Sequence, residues 1–99
     1  MRILSRSTLR DFWEQAEYQD AEQPLKAWFA EAKAAEWGTP QDVKNQYGNA
    51  SIVANNRVVF NIHGNKYRLV LAIRYDVKIC FIKFIGTHKQ YDRIDVATI

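Results

Sequence analysis

A change of hydrophobic period at Ser51 constrains this chain more than any other feature. Before it, apolar residues recur at helical spacing: Leu9, Phe12, Trp13 and Ala16 fall at i, i+3, i+4 and i+7, and Leu25, Trp28, Phe29 and Ala32 repeat the pattern. After it the period is two, and "RVVFNIH", "KYRLVLAIRY" and "KICFIKFI" read as three strands. Helices first and strands second predict an α+β fold, with N-terminal helices packed on one face of a small antiparallel β-sheet. The chain's 99 residues allow one modest core, so residues 1–99 form a single domain.

The punctuation agrees with that division. Ser5 or Ser7 offers an N-cap for the first helix, and Pro24 suits the first turn of the second. Thr39-Pro40 and Gly48 bracket a third, shorter helix, "PQDVKNQY". "MRIL" is expected to pair as an edge strand. Gly64-Asn65 joins the first two strands, with Gly at the first central position of a type II′ hairpin turn; Asp76-Val77 is a poorer turn pair.

Composition excludes several classes. No apolar run approaches the roughly 20 residues of a spanning helix, and "MRILSRS" has no apolar region of a signal peptide. The single cysteine, Cys80, makes an internal disulfide impossible; within an apolar strand it reads as packing. One Cys and two His at no ligand spacing do not make a metal site. Charge is unevenly spread: residues 1–50 carry six Lys/Arg against eight Asp/Glu, and residues 51–99 carry eight against three. The strand half is therefore the candidate surface for an anionic partner.

Two-residue loops in both hairpins would place Arg68 opposite Asn61 and Ile85. One face then holds Val58, Phe60, Ile62, Tyr67, Leu69, Leu71, Ile73, Cys80, Ile82 and Phe84 and should lie against the helices. The other holds Arg57, Val59, Asn61, Arg68, Val70, Arg74, Phe81, Lys83 and Ile85, with no acid among them. Arg68 and Lys83 become diagonal neighbours whose like charges an anion would reconcile. Two uses fit this face: a phosphate surface, with Arg as fork and Lys as point charge, or a solvated face whose Arg stems cover apolar neighbours.

Close to the end of the chain, "IGTHKQYD" packs several chemical groups together. Thr87-His88-Lys89-Gln90 matches the capping box, which accounts for Thr87 and Gln90. His88 and Tyr91 are left three residues apart on one helical face, at the end of the strand that bears Lys83. Such a set suits cleavage of RNA by its own 2′-hydroxyl. That reaction needs cations for the phosphate (Arg68, Lys83), a proton-exchanging group (His88), and a residue that stacks a base or assists proton transfer (Tyr91). A non-catalytic RNA- or partner-binding module would use the same basic face.

"VVFNIHGNKYRLV", followed by an apolar strand and "IGTHKQYD", resembles the HigB toxins of bacterial toxin–antitoxin pairs, within the RelE-like superfamily of mRNA interferases. The resemblance extends to "LKAWFAEAKAAEW" and "DVKNQYG". It implies a RelE-like fold and a cytoplasmic endoribonuclease, without cofactor, that cuts mRNA on translating ribosomes. A HigA-like antitoxin with a helix-turn-helix domain would neutralise it, and operator DNA would be met only through that antitoxin. Carried over by motif, Arg68, His88 and Tyr91 are the catalytic candidates, with Lys83 in support. Asn61, Asn65, Lys66, Arg57, Arg74 and Lys89 are candidate RNA contacts.

Overall fold

In a computed structural model describing residues 1–99, each apolar stripe becomes the buried edge of a helix. Helix α1 spans Arg6–Trp13 and buries Leu9 and Phe12; α2 spans Glu22–Ala34 and buries Leu25, Trp28 and Ala32. A 3-10 segment, Ala16–Ala21, joins them, so Ala16 is exposed and lies outside the first helix's stripe. Ser5 precedes α1 as expected but sits at φ 69 and makes no side-chain cap; only its carbonyl accepts, from the Thr8 amide at 2.9 Å. Helix α3, Pro40–Gln46, follows a complete capping box formed by Thr39 and Asp42. No helix is long and apolar enough to cross a membrane.

The strands are β1 (Arg2–Leu4), β2 (Ser51–Val53), β3 (Arg57–Ile62), β4 (Tyr67–Arg74) and β5 (Ile79–Thr87), and a short helix α4 (His88–Tyr91) follows. They form one sheet in the order β1-β5-β4-β3-β2. The expected three-stranded meander is its centre. "MRIL" does supply an edge, but one parallel to β5, and β2 extends the far side, antiparallel to β3. The α+β fold class stands. Gly64, at φ 66, turns the first hairpin with His63 at φ 55, one of the few non-glycine types that enter the left-handed region.

Register decides the faces. Asn61 pairs with Arg68 as expected, and the β4–β5 ladder follows the expected register from Arg74–Ile79 to Leu71–Ile82. A bulge then leaves Lys83 unpaired, because Val70 meets Phe84 rather than Lys83. One inserted residue reverses every side chain beyond it. Arg68 therefore lies opposite Gly86 instead of Ile85; Ile85 joins the core, and Phe84 moves to the outer face. The remaining helix-side residues of β3, β4 and β5 are buried as the alternation demanded. Burying a Val, Leu, Ile or Phe contributes roughly 1.5–3 kcal/mol each, so this face holds the layers together.

The outer face has a cover of its own. Val59 and Val70 are buried there, at 4% and 0% exposure, yet stand apart from the helix-side core. After α4, residues 92–99 run from the Tyr67 end of β4 to the start of β3. There the Asn55 side chain donates to the Ala97 carbonyl at 2.9 Å and the Arg57 guanidinium to that of Ile99. A straight line between these two ends crosses the sheet at the pair Val59–Val70.

Candidate active site

The end of the sheet where β4 begins and β5 finishes brings two of the candidates into contact. The Arg68 guanidinium donates to the Asn65 carbonyl at 3.2 Å and to Nε2 of His88. An arginine has only donors, so a hydrogen bond between them takes Nε2 of His88 as its acceptor. His88 is exposed and Arg68 and Tyr91 are half-buried, leaving the pair open to a ligand.

Local sequence explains why His88 stands there. The Thr87 hydroxyl accepts from the Gln90 amide at 3.3 Å, while the Gln90 side chain accepts from the Thr87 amide at 2.8 Å, the expected capping box. Gly86 makes this possible. A Cβ at that position would come within 2.6 Å of both Gln90 Oε1 and the Phe84 ring, so only glycine leaves room for the Gln90 side chain to fold back. Tyr91 occupies the last position of α4, three residues beyond His88.

The other candidates are less concentrated than the unbulged register implied. Lys83 is exposed in the bulge, three residues from Arg68's partner Gly86 and roughly 10 Å along the strand, so it is not a diagonal neighbour of Arg68. Arg74, at the far end of β4, is paired with Asp76 at 2.8 Å. Arg57 bonds to the carbonyls of Asn55 (2.8 Å) and Ile99. Lys66 is engaged by Asp20. Asn61 sits beside Arg68 in the ladder, Asn65 lies exposed in the loop, and Lys89 is exposed on α4 next to His88. The expected continuous basic face is thus reduced to one open end, with Arg68, His88 and Lys89, and Lys83 further along.

Two groups absent from the sequence reading complete the picture. Asp20, from the 3-10 segment, accepts from the Tyr67 hydroxyl and pairs with Lys66, with His63 Nε2 at 3.6 Å. Lys66 first and then Tyr67 hold its carboxyl below the ordinary value. The Tyr18 hydroxyl accepts from Gln90 Nε2 at 3.3 Å. Contacts spanning 46 to 72 residues leave no local signal. Cys80 is fully buried, which pushes its thiol up to about 11, and it plays the packing part expected of it.

These features define a small α+β domain with an exposed Arg–His pair at the open end of its sheet. Residues 21–94, well over half of the chain, match the HigB toxin family, described as the RelE-like toxic component of a toxin–antitoxin system. The chain belongs to this family. Over 34 residues it is 41% identical to the mRNA interferase toxin HigB of Escherichia coli K12. The same figures hold for the mRNA interferases HigB of E. coli O157:H7 and Shigella flexneri. The matched stretch is 34% of this chain, and the chain spans 33% of the length of these curated relatives.

Proposed function

We propose that the protein is the toxic endoribonuclease of its pair, cutting mRNA on translating ribosomes by attack of the 2′-hydroxyl on the adjacent phosphate. The observation that carries this reading is the contact between Arg68 and Nε2 of His88. A scissile phosphate arriving at Arg68 takes over its guanidinium as a bidentate partner and releases Nε2, unprotonated, beside the nucleotide. His88 then removes the 2′-hydroxyl proton, and Arg68 stabilises the charge that grows on phosphorus-bound oxygen. The bond from phosphorus to the 5′-oxygen breaks as the new bond forms, and the departing oxygen takes its proton from water, with Tyr91 stacking a base or assisting that transfer. Lys83 and Lys89 suit flanking phosphates rather than the reacting one, and Asn61 and Asn65 offer amides beside Arg68.

On this reading a HigA-like helix-turn-helix antitoxin holds the protein inactive in the cytoplasm and carries the complex to operator DNA. The matched relatives are named mRNA interferases, which supports RNA as substrate.

Induced expression is expected to arrest growth and to produce new mRNA 5′ ends. Arg68→Ala or His88→Ala should relieve the arrest while circular dichroism shows a folded protein. Full toxicity in both variants would mean the wrong site. Binding of RNA with intact transcripts would instead identify a non-catalytic binding module.

A further inference from the structure

Arg68 and His88 reach each other from two different segments, the start of β4 and the short helix α4. Arg68 follows a hairpin loop with two residues at positive φ, and His88 sits on a helix of four residues, too short to persist unaided. The 3-10 segment Ala16–Ala21 touches both. Its Asp20 holds the hairpin through Lys66 and through the hydroxyl of Tyr67, the residue next to Arg68. Its Tyr18 holds α4 through Gln90, whose side chain closes the cap under His88. Tyr18 is itself fixed, stacked on Phe12 with ring centres 4.4 Å apart and set edge-on to Tyr67 at 6.0 Å.

We propose that Asp20 and Tyr18 are positioning residues: a two-point clamp from the helix layer that sets the distance between Arg68 and His88. A single exposed ion pair would contribute little, but here the carboxylate also satisfies the hydroxyl of Tyr67, a residue with 0% exposure. Losing Asp20 strands that hydroxyl on the helix side of the strand, at the residue next to Arg68. Losing the Tyr18 hydroxyl frees Gln90 and loosens the cap while the ring stack remains.

The proposal rests on the RNA-cleaving reading for its rate measurement, and a second measurement is independent of it. Asp20→Ala, Asp20→Asn and Tyr18→Phe proteins would be assayed on programmed ribosomes, and the His88 ring followed by nitrogen NMR. Asp20→Ala and Tyr18→Phe are each expected to lower the rate at saturating substrate by roughly tenfold, below the ~10²-fold that a 1 Å misplacement costs, with KM little changed. Asp20→Asn, which still accepts from Tyr67, should fall between Asp20→Ala and wild type. The Nε2 resonance of His88 should move in the same order as contact with Arg68 is lost. Folded variants with wild-type rates and unshifted His88 resonances would overturn the clamp. Should the wild-type protein leave the mRNA intact, the cleavage reading fails, and should Arg68→Ala cleave as well as wild type, the assigned site fails; in either case the resonances decide alone, a shift supporting the clamp and none overturning it.

Discussion

On the helix side of the sheet, β3, β4 and β5 present an unbroken set of buried apolar side chains. On the outer side the same strands present two buried valines, with Arg57 tied to the C-terminal segment at one end and Arg68 open at the other. The helix side is closed by helices whose stripes match it, and the hydroxyl of Tyr67, buried there, is satisfied by Asp20. The outer side is closed by residues 92–99, which reach only part of it, and the uncovered remainder is where charged groups meet solvent. One face fixes the fold, and the other has a free end at which chemistry can be placed.

The contrast can be broken most forcefully from the helix side. Leu69→Ala, at 0% exposure in the core, is expected to cost about 2–5 kcal/mol in urea unfolding. Val70→Ala, equally buried on the outer face, should cost about 1–2 kcal/mol. Deleting residues 93–99 should shrink that second cost; an undiminished cost would mean that the tail is not the cover. Gly86→Ala pushes Gln90 out of its capping position and should cost about 1 kcal/mol in thermal unfolding, with a larger proportional loss of RNA cleavage. Arg74→Ala removes an exposed pair with Asp76 and should change stability by less than about 1 kcal/mol, leaving growth arrest intact.

The last effect, from Asp20, is present in full near neutrality and is read against pH. Its carboxyl titrates below the ordinary 3.8, chiefly because Lys66 and Tyr67 bond to it. A depressed carboxylate stabilises the fold above the unfolded-state value, and that contribution is lost as pH falls through the folded-state value. The urea midpoints of wild type and Asp20→Asn should therefore converge as pH is lowered from neutrality through and below 3.8. Parallel curves would remove Asp20 from the acid response.

The helix-side face was legible because alternation and helical spacing are local signals. Leu25, Trp28 and Ala32, and every helix-side residue of β3 and β4, are where the periods put them. The Thr87–Gln90 box was legible for the same reason. The bulge at Lys83 was not, since nothing in "KICFIKFI" distinguishes an unpaired lysine from a paired one. It moved Phe84 and Ile85 to opposite faces and took Lys83 away from Arg68. Asp20 and Tyr18 were invisible because their partners lie far along the chain. Arg57 and Lys66 looked free in sequence because their partners, the Ile99 carbonyl and Asp20, lie far along the chain, whereas Arg74 is held by Asp76 only two residues on, a partner the sequence does show.

Gly86 also sets the genetics of this protein. Every missense change of a glycine codon adds a Cβ, and at this position a Cβ displaces Gln90 from beneath His88. On the proposed function, the whole codon is thus a target for silencing substitutions that alter neither Arg68 nor His88. Among survivors of a selection for loss of toxicity, changes at residue 86 are expected beside those at 68 and 88, in protein that is still made and still folded.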